Sequence, residues 1–222
     1  MGSTVGEILP LAVGIAISPI PIIAAILMLL SPKAKGTSLG FLVGWLVGII
    51  ATIVVFTLLS SVLPQSDDGP STVVGVIKIV LGALLLLLAV KQWRSRPARG
   101  EQAALPKWMA AIDSMTPAKA LVLGILLSSV NPKNLLLAAS AGLVVGGAGL
   151  TVEQQIAVIA VFTVIAASTV LVPVVAYLAA SAKMAAPLER LRVWLVDNNA
   201  TIMAVLLLVI GVSVIGKGIG SL

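Results

Sequence analysis

Ser128-Ser129-Val130-Asn131-Pro132-Lys133-Asn134 is a polar, proline-bearing run set between two apolar stretches, Leu121 to Leu127 and Leu135 to Ala139. Hydrocarbon offers no water to an exposed backbone or a charge, so a proline, two asparagines and a lysine in such a place must face a cavity or other protein. The Lys133 ammonium and the Asn131 and Asn134 amides are donors suited to a carboxylate, sulfate or phosphate. Ser18-Pro19-Ile20-Pro21 interrupts an earlier apolar stretch in the same way but carries no charge. Lys78 is the other lysine inside an apolar stretch, some six residues or ~9 Å from its start. It either snorkels to the near interface or faces the bundle interior and pairs with an anion or a carbonyl. The candidate substrate-binding residues are therefore Ser18, Pro19, Pro21, Lys78, Ser128, Ser129, Asn131, Pro132, Lys133 and Asn134.

Each has a plainer reading. Pro132 reads equally as a kink satisfied by neighbouring helices, and the asparagines as interhelical glue worth about 0.6 kcal/mol. Ser18, Ser128 and Ser129 can bond back to carbonyls of their own helix. Lys133 is harder to dismiss, because a midspan lysine costs ~2.5–3.5 kcal/mol on insertion scales. Ser128 or Ser129 with Lys133 also makes a Ser-Lys nucleophile pair conceivable, but a lysine base must be desolvated and aimed at the hydroxyl. Four or five residues along a broken helix do not ensure that.

The elements that position these residues follow from composition. Apolar residues make up 59% and charged residues 10%, with a mean hydropathy of +1.19, against roughly 45–50% and about 25% in soluble domains. This is the composition of an integral membrane protein. At 222 residues, spans of ~20 residues leave room for about six helices and no separate soluble domain. Cysteine and histidine are absent, which excludes disulfides, thiol relays, haem or iron-sulfur ligation and histidine-based metal sites, so no cofactor or metal is expected.

The first apolar segment runs from about Ile8 to Leu30 and is expected to kink sharply or split at Pro19 and Pro21. Met1 to Pro10 carry no Lys or Arg and one acid, Glu7, so they lack the basic region of a cleaved signal and the segment is expected to stay in the mature protein. The second span, about Ser38 to Leu63, follows Gly36 and holds Gly40, Gly44 and Gly48 at spacing of four, a face where backbones approach closely. A groove for a lipid chain is the alternative. The third runs from Thr72 to Val90, after the polar turn Pro64 to Pro70. The fourth, Ala120 to Val145, holds the opening run. Thr151 and Gln154 read as a capping box ahead of the fifth span, Gln155 to Ala180, which contains Ser168, Thr169 and Pro173. The sixth is Ala200 to Ile215. Leu105 to Met115 and Leu188 to Leu195 read as short interfacial helices, and the tryptophans other than Trp45 as interface anchors.

The loops after spans one, three and five hold Lys33, Lys35, Lys91, Arg94, Arg96, Arg99, Lys107, Lys119, Lys183, Arg190 and Arg192, eleven of the fourteen basic residues. The positive-inside rule then puts these loops in the cytoplasm and both termini outside, in a multi-pass protein of the plasma membrane. The net charge of +6 is a topology signal with some attraction to anionic lipid, and nucleic acid is not an expected partner.

Leu11, Gly14, Ile15 and Ser18 recur as Leu121, Gly124, Ile125 and Ser128, at an offset of 110. Each set opens the first helix of a three-span half and precedes a proline break. Three is odd, so the halves have opposite orientation, the inverted-repeat plan of many secondary transporters. The expected fold is all-α and integral to the membrane: six transmembrane helices in two inverted three-helix repeats, each with a broken first helix. It forms one membrane domain over 1–222, with repeat one at 8–91, a cytoplasmic basic loop at 91–119 and repeat two at 120–222. Half-helix N-termini meeting near the midplane would offer N–H groups and positive dipole ends to an anion.

Ser18-Pro19-Ile20-Pro21, the run Leu105-Pro106-Lys107-Trp108-Met109 with Ile112-Asp113, and Asn131-Pro132-Lys133-Asn134-Leu135 resemble the GAP/Sap family of actinobacterial envelope proteins. The resemblance spans nearly the whole chain, with the Asn-Pro-Lys-Asn-Leu run its most specific part. It implies a small six-span protein of the lysine-exporter (LysE) superfamily that addresses glycopeptidolipid or sulfolipid to the cell surface.

The acids Glu7, Asp67, Asp68, Glu101, Asp113, Glu153, Glu189 and Asp197 all fall near span ends or in loops. A transporter of cations, or one coupled to protons through a buried carboxylate, would place an acid near the midplane. The deep ionisable groups here are lysines, which points to an anionic substrate or head group. A potential negative inside then drives export by ~2.3 kcal/mol per charge per 100 mV. The expected function is export of an envelope lipid or anionic polar metabolite, not catalysis. The alternatives are a non-transporting accessory subunit of an envelope-lipid export machinery, or a membrane enzyme using Ser/Lys chemistry. The expected partners are membrane lipids, the anionic lipid or small-molecule substrate, and either a second copy of the chain or an export partner.

Overall fold

Prolines decide where the first and fourth apolar stretches stop being continuous helices. The computed structural model describes residues 1–62, 72–96 and 107–222, all helix and connecting turns, with no strand among them. In order these are α1 (Gly2–Ala16), α2 (Pro19–Leu30), α3 (Ala34–Val62), α4 (Thr72–Arg94), a 3-10 helix (Lys107–Ser114), α5 (Pro117–Ser129) and α6 (Pro132–Gly146). Val152–Ile219 follows as one hydrogen-bonded helix kinked at Ala180 (φ −149°, ψ 54°), here divided into α7 (Val152–Ser181) and α8 (Lys183–Ile219).

α1 and α2 meet at 52°, and α5 and α6 at 63°. Pro19, Pro117 and Pro132 each open a helix, where a missing N–H costs nothing because first-turn donors lack an intrahelical acceptor. The kink in the Val152–Ile219 segment falls at Ala180, while Pro173 and Pro187 lie inside helix. The capping box forms as expected: the Thr151 side chain accepts from the Gln154 amide at 3.4 Å and Gln154 Oε1 accepts from the Thr151 amide at 3.2 Å.

Four helical stretches among the described residues are long and apolar enough to cross a membrane: Ala34–Ser60, Thr72–Arg94, Val152–Ser181 and Lys183–Ile219. With each bent pair taken as one span there are six. The run 188–195 is not a separate interfacial helix. It forms early turns of α8, which continues through Asn198 and Asn199 because nothing after Pro187 interrupts the ladder. Of 105–115, residues 107–114 form the 3-10 helix, which packs on α2 and buries Met109 and Ile112 in the core. The turn 64–70, with Asp67 and Asp68, lies outside the described residues.

The glycine face of α3 is an intramolecular seam. A Cβ on Gly40 would stand 2.4 Å from the Pro117 carbonyl oxygen, one on Gly44 2.0 Å from that of Leu121, and, in return, one on Gly124 2.4 Å from that of Phe41. Backbone thus lies on backbone, the close approach that small residues permit in lipid, and α5 occupies the groove that a lipid chain would need. Gly36 faces Pro117 at the start of α5 and Gly146 faces Thr57 and Ser60 at the end of α3, so α3 runs alongside α5 and α6 in the same direction. Trp45 is buried and stacked on Phe41 with ring centroids 6.2 Å apart. Val47, Val55, Val76, Val80, Val164 and Val209 face outward, the inverse of a soluble surface and the belt that acyl chains require.

Glu7, Pro10 and Leu11 near the start of α1 share a cleft with Ser140 and Val144 toward the end of α6. The two broken spans therefore run in opposite directions, and their breaks meet.

Candidate functional site

At the first break the helix ends at Ala16 and restarts at Pro19, with Ser18 extended between them (φ −110°, ψ 99°). Ser18 occupies the N-cap position of α2, yet its side chain does not cap that helix. Its hydroxyl crosses to the other break and donates to Asn134 Oδ1 at 3.3 Å. At the second break Asn131 does cap, accepting from the Lys133 amide at 3.1 Å.

Lys133 is 3% exposed and Asn134 0%. Lys133 Nζ donates to the Gly14 carbonyl at 2.6 Å and to the Ser18 hydroxyl. Asn134 Nδ2 donates to the Leu127 carbonyl at 2.9 Å. One chain of polar groups thus links Gly14, Lys133, Ser18, Asn134 and Leu127, joining the C-terminal carbonyls of α1 and α5 to the first turn of α6. Cations favour helix C-termini, and here the cation is contributed by a different helix.

Two C-termini and two N-termini converge, so the helix-dipole contributions oppose one another and the ammonium remains as net charge. The ion pairs among the described residues are Arg192–Glu189 and Lys217–Glu7, so the partners of Lys133 are neutral. Prolines reduce the expected cradle of backbone donors. Pro19, Pro21 and Pro132 have none, the Ile22 amide reaches the Ser18 carbonyl at 3.3 Å, and the Leu135 amide reaches that of Asn131 at 2.9 Å. That leaves Ile20 and Asn134 as first-turn amides for an anion.

The candidate residues therefore divide. Ser18, Asn131, Lys133 and Asn134 come together, with Pro19, Pro21 and Pro132 fixing the breaks. Ser128 and Ser129 are adjacent in sequence but their hydroxyls turn back: Ser128 donates to the Gly124 carbonyl at 2.8 Å and Ser129 to that of Ile125 at 2.6 Å. The hydroxyl that Lys133 meets is that of Ser18, which accepts a hydrogen bond from Nζ and donates one to Asn134 Oδ1. Lys78 lies elsewhere, half-buried, donating to Ser221 Oγ at 3.4 Å.

Thr169 belongs to the site without having been singled out for it. Its hydroxyl donates to the Ala16 carbonyl at 2.6 Å, satisfying a group freed by the first break. The visible signal was a threonine in an apolar span, shared with Ser168, which bonds back to the Ile165 carbonyl at 2.7 Å.

The family described as Sap, sulfolipid-1-addressing protein, matches residues 8–220 of the chain. No curated protein and no solved structure matches it.

Proposed function

Since the chain belongs to the sulfolipid-1-addressing protein family, we propose that it is a membrane exporter of an anionic envelope lipid, such as a sulfated glycolipid or its precursor, acting at the outer face of the plasma membrane. The observation that carries this reading is Lys133: a buried ammonium bonded to a carbonyl and a hydroxyl, where two broken spans of opposite direction meet. A buried cation with neutral partners gains most from an arriving anion, and Ser18, Asn131 and Asn134 supply further polar groups beside it. In this reading the head group displaces the Gly14 and Ser18 contacts of Lys133, and Thr169 keeps the end of α1 satisfied while it does so.

The proposed mechanism is alternating access between two inverted three-span halves, the arrangement that secondary transporters of this plan use. Both termini lie outside and the basic loops inside, as the distribution of Lys and Arg favours. An anion then moves outward with the membrane potential, ~2.3 kcal/mol per charge per 100 mV, and needs no coupling ion. The protein acts without catalysis and without a cofactor.

The test is flux of a fluorescent sulfated galactolipid between leaflets of proteoliposomes under an imposed potential, with the uncharged galactolipid as control. Faster movement of the sulfated lipid, stimulated by a potential that favours its direction, is expected. Equal movement of both lipids, or none of either, would overturn the reading; no flux together with co-purification of a larger envelope protein would favour an accessory role.

A further inference from the structure

Among the described residues three buried side-chain atoms have no hydrogen-bond partner in the protein: Trp45 Nε1, Thr163 Oγ1 and Asn199 Oδ1. Asn199 is only partly buried, but Trp45 is 1% exposed and Thr163 6%. The buried hydroxyls of Thr52, Thr57, Ser128 and Ser140 bond back to a carbonyl of their own helix at 2.7–2.9 Å, as helical hydroxyls do. That of Thr163 makes no such bond. The indole N–H of a buried tryptophan ordinarily finds an acceptor. Phe41 does not serve as one, because its ring stacks on the indole with 20° between the planes, while the N–H points along the indole plane. An unpaired buried donor destabilises the packing that buries it, so each of these two calls for a reason beyond that packing.

Their places in the fold correspond. Trp45 stands eleven residues after Ala34, the first of α3, and Thr163 eleven after Val152, the first of α7, about 16 Å along each axis. α7 starts six residues past Gly146, at the end of the bundle where α3 finishes, so the two depths are measured from opposite ends. The breaks fall between them. Gly48 faces Ser128 in the last turn of α5, and Trp45 lies three residues earlier on α3, a rise of about 4.5 Å. Thr169 meets Ala16 at the end of α1, and Thr163 lies six residues earlier on α7, a rise of about 9 Å. Lys133 and the polar groups around it thus have one unpaired donor on each side along the membrane normal.

We infer that Trp45 and Thr163 donate hydrogen bonds to a sulfate or phosphate oxygen of the lipid head group on its way to and from Lys133, each in the conformation open to its own side. This rests on the export reading in one respect: the acceptor is the head group that Lys133 draws in. The donor chemistry fits a relay. An indole N–H only donates and a threonine hydroxyl can donate, so both receive an oxyanion without adding charge, and the charge stays at Lys133. Passage requires sites that bind well enough to admit the anion and weakly enough to release it, which single neutral donors meet. In the packing seen here neither donor is bonded, so an arriving oxyanion gains two bonds that this packing lacks and shifts the balance toward the open conformations.

Nitrogen–proton correlation spectra of the indoles, recorded on the full chain in neutral detergent, test the inner donor, with the Trp45 signal identified by its loss in Trp45→Phe. Sulfatide is expected to move the Trp45 proton resonance downfield, and galactosylceramide and inorganic sulfate to leave it in place. For the outer donor, Thr163→Val is expected to slow sulfatide flux in proteoliposomes about fivefold, the factor that one neutral hydrogen bond confers. Its Tm is expected to stay level or rise, because valine keeps the shape and removes the unpaired hydroxyl. Thr163→Ser is expected to regain most of the flux. A Trp45 signal that ignores sulfatide, or moves equally with either control, would overturn the inference, as would wild-type flux or a lowered Tm in Thr163→Val. A Trp45 shift with sulfatide in a protein that moves no lipid supports the donor while sinking the export reading, and sulfatide flux with an unmoved Trp45 signal does the opposite.

Discussion

Lys133→Met separates a lysine that holds the breaks together from one that binds cargo. The substitution removes the bond to the Gly14 carbonyl at 2.6 Å, leaving that buried oxygen without its donor at a cost of about 1–3 kcal/mol. Ser18 is not orphaned, because its hydroxyl still donates to Asn134 Oδ1. Against this, the mutation takes an ammonium out of the interior, a relief of ~2.5–3.5 kcal/mol on insertion scales. The two nearly cancel, so stability is expected within about 2 kcal/mol of wild type, a Tm shift under about 8 °C for a chain of this length. Lipid flux is expected to be lost, because the charge that draws the anion is gone. Lys133→Gln restores a donor for Gly14 and is expected to remain inactive. Thermal unfolding in neutral detergent read beside proteoliposome flux measures both quantities. Wild-type flux by Lys133→Met, with a normal Tm, would refute the assignment of Lys133 to the cargo; a Tm drop well beyond 8 °C would show instead that its role is to hold the breaks.

Other outcomes follow from the same geometry. Gly44→Leu, whose Cβ would stand 2.0 Å from the Leu121 carbonyl oxygen, is expected to cost at least about 3 kcal/mol and to abolish a monodisperse elution profile, whereas Gly216→Ala, with nothing within 4 Å, is expected to change stability by under about 1 kcal/mol. Thr169→Val removes the hydroxyl from the Ala16 carbonyl, which keeps the Ser18 amide at 2.8 Å; a loss of about 1 kcal/mol, read as a small fall in Tm, is expected. For orientation, Ser3→Cys is expected to react with an impermeant thiol reagent added outside intact cells and Ser114→Cys only after the membrane is opened, both positions being exposed; labelling of Ser114→Cys from outside would reverse the topology.

Much of the architecture was legible because lipid imposes strict rules on a chain. Hydropathy located the helices, and Pro19, Pro21 and Pro132 located the breaks, since a missing N–H in a span has few places where it costs nothing. Thr151 and Gln154 announced their capping box by spacing alone. The glycines of α3 announced close packing, but their partner, the backbone of α5, is a long-range choice that spacing does not encode. The 188–195 run misled for a related reason: its charges fit an interface, yet charge pattern does not stop a helix, and no breaker follows Pro187.

By itself the sequence determined that this is a membrane protein of many spans, that two spans break, and that one of the breaks carries a lysine rather than an acid. Tertiary structure decided which groups meet. It turned Ser128 and Ser129 into their own helix and brought Ser18, 115 residues from Lys133, to the ammonium instead. It recruited Thr169 to the end of α1, and it placed Lys78 with Glu7 and Lys217 in a separate cleft. The physical reason is that a broken helix frees carbonyls and amides at a known place, while the donors that satisfy them come from whichever helices pack there, and that packing is fixed by the whole bundle.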